Sequence, residues 1–322
     1  MTIDRSVFSR VIAVHNGKGG VFKTTLVANI AGQAAASTAA SGDPLRILML
    51  DLDPQAKREG LARDFGVSHA SDEGRELYDA MLTGRPLNPA EFLEVRPNLE
   101  LVCGGKALRE LAWKGFNQDQ ALDMLATCLA PIAEDYDYVF IDTPPSNDFF
   151  VLAALGCARF VLMPTKQDVS SIAGTGSAID LIKEALDKNP YIEPLGIVLT
   201  DVGVRSTALA AHAADNIAKV SGDDSLLFGF TYRTAEAISG IAREEGLLIH
   251  EMAQMSSQRR RESVAALRAR EKARKEAGEQ FNPTDYPIPA KFDGARNVAQ
   301  DLKGITAEFF SRIADAEARE DH

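Results

Sequence analysis

Short, continuously apolar runs recur along the chain at Val11–Val14, Ile47–Leu52, Leu99–Cys103, Tyr138–Ile141, Phe160–Met163, Leu195–Leu199 and Leu226–Phe230. Runs of this length without polar alternation predict strands covered on both faces. Helix-forming stretches lie between most of them, and Thr24 to Ala36 is an uninterrupted one. The expected fold class is therefore α/β, a doubly wound and mostly parallel sheet, with ligand chemistry gathered at the carboxyl ends of the strands. The Ala/Ser-rich piece Ala34 to Gly42 reads as a helix end and turn, and there is no internal repeat. Past about Met255 the composition changes to a charged helix, a Pro-containing connector from Phe281 to Pro289, and a closing helix from about Ala295 to Ala318. Residues 1–255 are accordingly expected to form the sheet domain, with 256–322 a helical extension packed on it or continuous with it.

Polar residues fall where that fold would use them. After the first run comes Gly17-Lys18-Gly19-Gly20-Val21-Phe22-Lys23-Thr24-Thr25, then a helix. Strand, glycine-rich turn and helix in this order form a P-loop, G-x-x-x-x-G-K-[ST]. Its backbone N–H groups and helix N-terminus cradle phosphates, its Lys neutralises them and its hydroxyl ligates Mg²⁺. Gly17, Lys23 and Thr24 fit the pattern, whereas Phe22 stands where the last glycine belongs. That glycine supplies a positive φ, which costs a bulky residue about 1–3 kcal/mol. Two outcomes follow: a loop impaired in holding nucleotide, or one that adapts with the ring turned outward, toward the switch segments or a dimer partner.

Two acidic elements extend the site. Asp51 and Asp53 close the second run, and Asp142 closes the run from Tyr138. A carboxylate at a strand end beside a P-loop is the usual arrangement for acting on Mg²⁺, often through water.

Composition narrows the setting. With 322 residues, 45% hydrophobic content and no apolar run near the ~18 residues of a bilayer span, the chain is expected to be a globular, cytoplasmic protein. Cys103, Cys128 and Cys157 are far apart, with no C-x-x-C pair, and read as buried small hydrophobes. A formal charge of -11 repels polyanions on average, so any nucleic-acid contact needs a local basic patch.

At these residues the chain resembles the ParA/MinD group of deviant Walker A ATPases, closest to ParA partition proteins lacking an N-terminal helix-turn-helix domain. Lys18 matches the group's signature lysine, Asp51-Leu52-Asp53-Pro54-Gln55 its D-x-D-P-Q motif and Ile141-Asp142-Thr143-Pro144-Pro145 its I-D-T-P-P motif. Weaker similarities at Leu77-Tyr78-Asp79, Pro97-Asn98-Leu99, Pro164-Thr165 and Arg233 to Ala237 carry the resemblance from about Val11 to Ala253. It implies ATP and Mg²⁺ as cofactors, with Gly17 to Thr25 (Gly17, Lys18, Gly19, Gly20, Val21, Phe22, Lys23, Thr24, Thr25) holding the nucleotide. It also implies an ATP-dependent homodimer in which Lys18 of each protomer reaches the partner's phosphates. Lys23 would bind the β/γ-phosphates, Thr24 and Asp142 would serve the metal, Asp51 would support the metal and switch region, and Asp53 would orient the attacking water.

ParA-type relatives bind nonspecific DNA as ATP dimers and release it when a ParB-like or cargo-adaptor protein stimulates hydrolysis, so a DNA-partition or cargo-positioning role, on the nucleoid, is expected. The clearest basic segment is Arg259, Arg260, Arg261, Arg268, Arg270, Lys272, Arg274 and Lys275, with Arg205, Lys219, Arg233 and Arg243 as scattered additions. A row of this kind suits salt-sensitive phosphate contact, although charged helices also serve as plain solvated faces. The short stretch before the P-loop makes operator recognition unexpected. The closing helix carries Val298, Leu302, Ile305, Phe309 and Ile313 on one stripe. Its polar face is acidic at Asp315, Glu317, Glu320 and Asp321, so the stripe is expected to pack on protein, not on anionic lipid as in MinD-type relatives. The alternatives are a scaffold or regulator with hydrolysis impaired by Phe22, and a membrane organiser. An iron–sulfur reductase is least in keeping with the cysteine spacing.

Overall fold

The computed structural model describes residues 3–39, 41–56, 60–145, 148–203, 207–255 and 294–320. Seven strands form one sheet: β1 Val11–Val14, β2 Ile47–Asp51, β3 Leu93–Arg96, β4 Leu99–Val102, β5 Tyr138–Asp142, β6 Phe160–Thr165 and β7 Glu193–Leu199. Their order is β3-β4-β2-β5-β1-β6-β7. All neighbours are parallel except the β3–β4 pair. The longer helices are α1 Lys23–Ala35, α2 Arg75–Thr83, α3 Gln118–Leu129, α4 Asp148–Leu155, α5 Val169–Ala185, α6 Thr207–Ser221, α7 Glu236–Glu245 and α8 Ala295–Glu320.

The unbroken apolar strands have the cause inferred from the sequence. Alternate residues of β1 serve two separate cores, Val11 and Ala13 on one face and Ile12 and Val14 on the other. One core packs under α3 and α4, and the second gathers α1, α8 and the chain around Leu248. The stripe of α8 lies in this second core, with Leu302, Ile305 and Phe309 fully buried and Phe309 stacked on Phe140 at 5.6 Å. It packs on the body of the protein.

Two expectations change. The run Leu226–Phe230 is not a strand of the sheet. Asp223 accepts the Ser225 N–H and starts a 3-10 turn over Asp224–Leu226, after which the chain meets the sheet in an isolated bridge of Leu227 to Ile197, with the Phe228 N–H donating to the Ile197 carbonyl at 2.9 Å. Phe230 is left half exposed. Conversely, β3 was not anticipated, because its sequence Leu-Glu-Val-Arg is too polar to read as a covered strand. It is an antiparallel edge strand with a register irregularity, which is where such a sequence is tolerated. The basic segment from Arg259 to Lys275, the connector from Phe281 to Pro289, and Arg205 lie outside the described residues.

Candidate functional site

Parallel pairing brings the site together. Asp142 at the end of β5 is in register with Val14 of β1 on one side and with Asp51 of β2 on the other. The P-loop and both acidic motifs therefore leave the sheet from one row of residues.

The loop is fixed at its base. Asn16, fully buried, donates to the Ser171 carbonyl and to Thr175 Oγ1 of α5, and its Oδ1 accepts the Lys18 N–H at 2.8 Å. Helix α5 comes this close because residue 174 is glycine; a Cβ there would collide with Asn16 Oδ1. His15, also buried, shares a 2.9 Å hydrogen bond with Thr143 Oγ1, which donates to the Val14 carbonyl and so joins the P-loop strand to the third motif. Burial first, and Lys23 second, push the His15 pKa down to about 3, so its ring is neutral.

Lys23 lies within the loop, its Nζ donating to the carbonyls of Asn16 and Lys18 at 3.2 and 3.1 Å. Burial lowers its pKa, opposed by the nearby Asp142 and Asp53. Thr24 donates to Asp142 Oδ2 at 2.6 Å, while Asp142 Oδ1 is buried without a hydrogen-bond partner. Burial raises the Asp142 carboxyl to about 7, against the Thr24 hydrogen bond and the Lys23 charge.

The two carboxylates of the second motif differ. Asp51 is 1% exposed, and its oxygens accept the N–H groups of Asp53 and Leu61, each at 3.0 Å. This side chain folds the segment after β2 back on the strand end. Burial, and Asp142 beside it, raise its pKa well above the usual range. Asp53 instead lines the pocket, and its Oδ1 accepts the Gln55 N–H at 2.7 Å.

Phe22 adopts the left-handed conformation expected of a glycine there, φ 69 and ψ 26. Its ring lies on the chain's own Tyr232, with centroids 5.1 Å apart, and the Lys166 ammonium stands 5.3 Å from its centre. Lys166 in turn pairs with Asp201 at 2.9 Å. The ring is thus seated between the ends of β6 and β7 and the loop beyond, and Lys23 and Thr24 still open α1 in regular helix.

The resulting pocket is about 410 Å³, within the usual range for small-molecule sites. One wall is the loop with Asp53, Thr143 and Pro145; the other is α7, through Glu236, Ser239, Gly240 and Arg243. Those four are spaced as one helical face. From the sequence, Glu236 falls in a family-like segment and Arg243 among scattered basic residues, and neither is expected at the nucleotide; the i, i+3, i+4, i+7 spacing is the signal that groups this wall. Two scattered basic residues are engaged elsewhere: Arg243 with the buried Asp64 at 2.5 Å, and Arg233 with Asp301 at 2.5 and 2.6 Å. Lys18 is exposed and is absent from the residues lining its own chain's pocket. The three cysteines are buried and apart, and the described residues contain no cluster suited to a metal held by protein groups alone.

The AAA_31 family, described as an AAA domain, matches residues 9–193, more than half of the chain. A chromosome partitioning protein ParA of Myxococcus xanthus is 34% identical over 200 residues, a match spanning 59% of this chain and 64% of that protein's length. ParA of Caulobacter vibrioides is 27% identical over 66% of this chain and 77% of its own. Among solved structures, a Cyanothece McdA complex with ATP superposes with a TM-score of 0.66 over 93% of this chain and 95% of that one, at 17% identity, a likeness of fold. A Mycobacterium smegmatis cobyrinic acid a,c-diamide synthase with ADP and magnesium does so at 0.55, with 26% identity, over 73% of this chain and 91% of that one. With the family model matching more than half of the chain, over a span that holds the P-loop and both acidic motifs, the chain belongs to the AAA_31 family and, within it, to the ParA/MinD group of P-loop ATPases.

Proposed function

We propose that the protein is a Mg-ATP-dependent, dimerising ATPase of the partition type that positions DNA or another cargo, binding nonspecific DNA in its ATP state. The observation that carries this reading is the division of labour between two lysines. Lys23 is buried inside the loop, on carbonyls it can exchange for phosphate oxygens, whereas Lys18 projects from the rim outside its own pocket. A cation held there serves a nucleotide bound to a second copy.

The residues fit a magnesium nucleotide. The partnerless Asp142 oxygen beside the Thr24 hydroxyl is an acceptor set for a hydrated hard cation. The loop amides and the N-terminus of α1 suit phosphates. Bound magnesium would offset charge on the phosphates, Thr24 and Asp142 would hold it, and Asp53 would orient water for in-line attack. Asp51 contributes by fixing the backbone that carries Asp53.

Phe22 favours a second reading, a nucleotide-dependent scaffold with little turnover. Its ring contacts and the intact start of α1 speak for accommodation instead. The buried α8 stripe argues against lipid as the cargo surface.

The test is mass in solution against Mg-ATP concentration, followed by DNA retention against salt, for the wild type and Lys18→Ala. Retained ATP binding with lost dimerisation and lost DNA retention in the variant supports the reading. Dimerisation of Lys18→Ala equal to wild type overturns it. ATP-dependent dimers without phosphate release, even with DNA and adaptor present, would move the scaffold ahead.

A further inference from the structure

A second cavity, about 1030 Å³, opens at the end of α1 remote from the P-loop. Gln33 and Ser37 contribute from that end of α1, His250 from the helical residues 249–255, and Lys303, Thr306 and Phe310 from α8. The 13 residues of α1 rise ~20 Å, so this space is separate from the nucleotide pocket.

Three of its polar groups are built in and unused. Six buried side-chain polar atoms among the described residues lack a hydrogen-bond partner, and three of them meet here: Gln33 Nε2, His250 Nδ1 and Thr306 Oγ1. Thr306 is only 8% exposed. A helical threonine can satisfy its hydroxyl on the carbonyl one turn back, but Thr306 makes no such bond. A buried polar group left unpaired costs about 1–3 kcal/mol, so three around one cavity constitute a standing demand for a polar occupant.

The lining also sets the sign of that occupant. Among the described residues no carboxylate lines the cavity. Burial lowers the His250 pKa and keeps the ring neutral. Lys303 is exposed at the rim and makes no ion pair among the described residues. Lys303, Thr306 and Phe310 follow i, i+3, i+7 spacing, which aligns ammonium, hydroxyl and aromatic ring along one face of α8. Arg296 and Gln300 are the other polar residues of that wall, and Ala299 and Ala307 are its small apolar ones.

We infer that this cavity is a binding site for a small organic anion. Its carboxylate or phosphate head is held by Lys303 and the Thr306 hydroxyl, with Gln33 as a further donor, and its apolar body lies against Phe310. Such a ligand would rest on the same helix that opens with Lys23 and Thr24. The inference is independent of the proposed ATPase role.

The test is calorimetric titration of the full chain with phenyl phosphate and benzoate, using inorganic phosphate and phenol as head-only and body-only controls. Saturable binding of phenyl phosphate, benzoate or both is expected, tighter than either control, and the preferred compound identifies the head group. Lys303→Glu and the near-isosteric Thr306→Val should each weaken it tenfold or more, whereas Lys23→Ala should leave it unchanged. Thr306→Val removes the orphaned hydroxyl, so it should fold at least as stably as wild type. No saturable binding, equal affinity for inorganic phosphate, loss in Lys23→Ala, or indifference to both α8 variants would each overturn the assignment.

Discussion

Replacing Phe22 once by alanine and once by glycine separates the two quantities that the structure sets against each other. At φ 69 a non-glycine residue carries about 1–2 kcal/mol of left-handed strain. Against this stand the aromatic contact with Tyr232, worth ~0.5–1.5 kcal/mol, and the Lys166 ammonium over the ring, ~0.5–1 kcal/mol. Alanine keeps the strain and loses both contacts, so Phe22→Ala should fall about 2 kcal/mol below wild type, somewhat more once lost apolar burial is added. Glycine also loses the contacts but relieves the strain. Even after its larger unfolded-state entropy, Phe22→Gly should be about 1 kcal/mol more stable than Phe22→Ala. Urea denaturation with linear extrapolation measures both, provided the transitions have equal slopes. An alanine variant as stable as the glycine one would refute the strained loop. An alanine variant as stable as wild type would refute the claim that the ring's contacts hold it there.

Asp168 caps α5, accepting from Ser170 and Ser171, and these bonds hold its pKa down to about 2. Its carboxylate therefore stabilises the fold above pH ~4 and ceases to as pH falls toward 2. Asp168→Ala should cost ~0.5–1 kcal/mol at pH 7, the lower part of the capping range because the residue is exposed, and the difference from wild type should vanish in acid melts near pH 2. Arg243→Ala strands the buried Asp64 carboxylate and should lower stability by about 3 kcal/mol in the same urea assay, with Asp64→Asn in the Arg243→Ala background recovering part of it. Asp53→Asn should retain ATP and dimerise yet release little phosphate. DNA retention by the ATP form should fall steeply with salt, and a salt-independent association would exclude phosphate contact.

The fold was legible wherever strands are buried on both faces, because β1, β2, β5 and β6 need apolar side chains toward both cores. It was illegible at β3, where an edge strand half in solvent carries Glu94 and Arg96. The convergence of Gly17–Thr25, Asp51, Asp53 and Asp142 could be read from motif order, since parallel neighbours put all strand ends on one side. The seat of Phe22 could not. Tyr232, Lys166 and Asp201 are far from it in sequence, and the pairing of β1 with β6 and of β6 with β7, with the Tyr232 N–H bonded to Leu199 at the end of β7, brings them to the P-loop. Asp51 and Asp53 look equivalent in the sequence; the backbone amides of Asp53 and Leu61 make the first a support for the second.

The central claim is that this chain holds Mg-ATP with Phe22 in the loop and dimerises through Lys18. Its most direct test is titration of Mg-ATP while following nucleotide binding and mass in solution together. The structure leads us to expect one nucleotide per chain and a doubling of mass with ATP but not ADP. A chain that stays monomeric and binds no ATP, while Phe22→Gly binds ATP and dimerises, would contradict it.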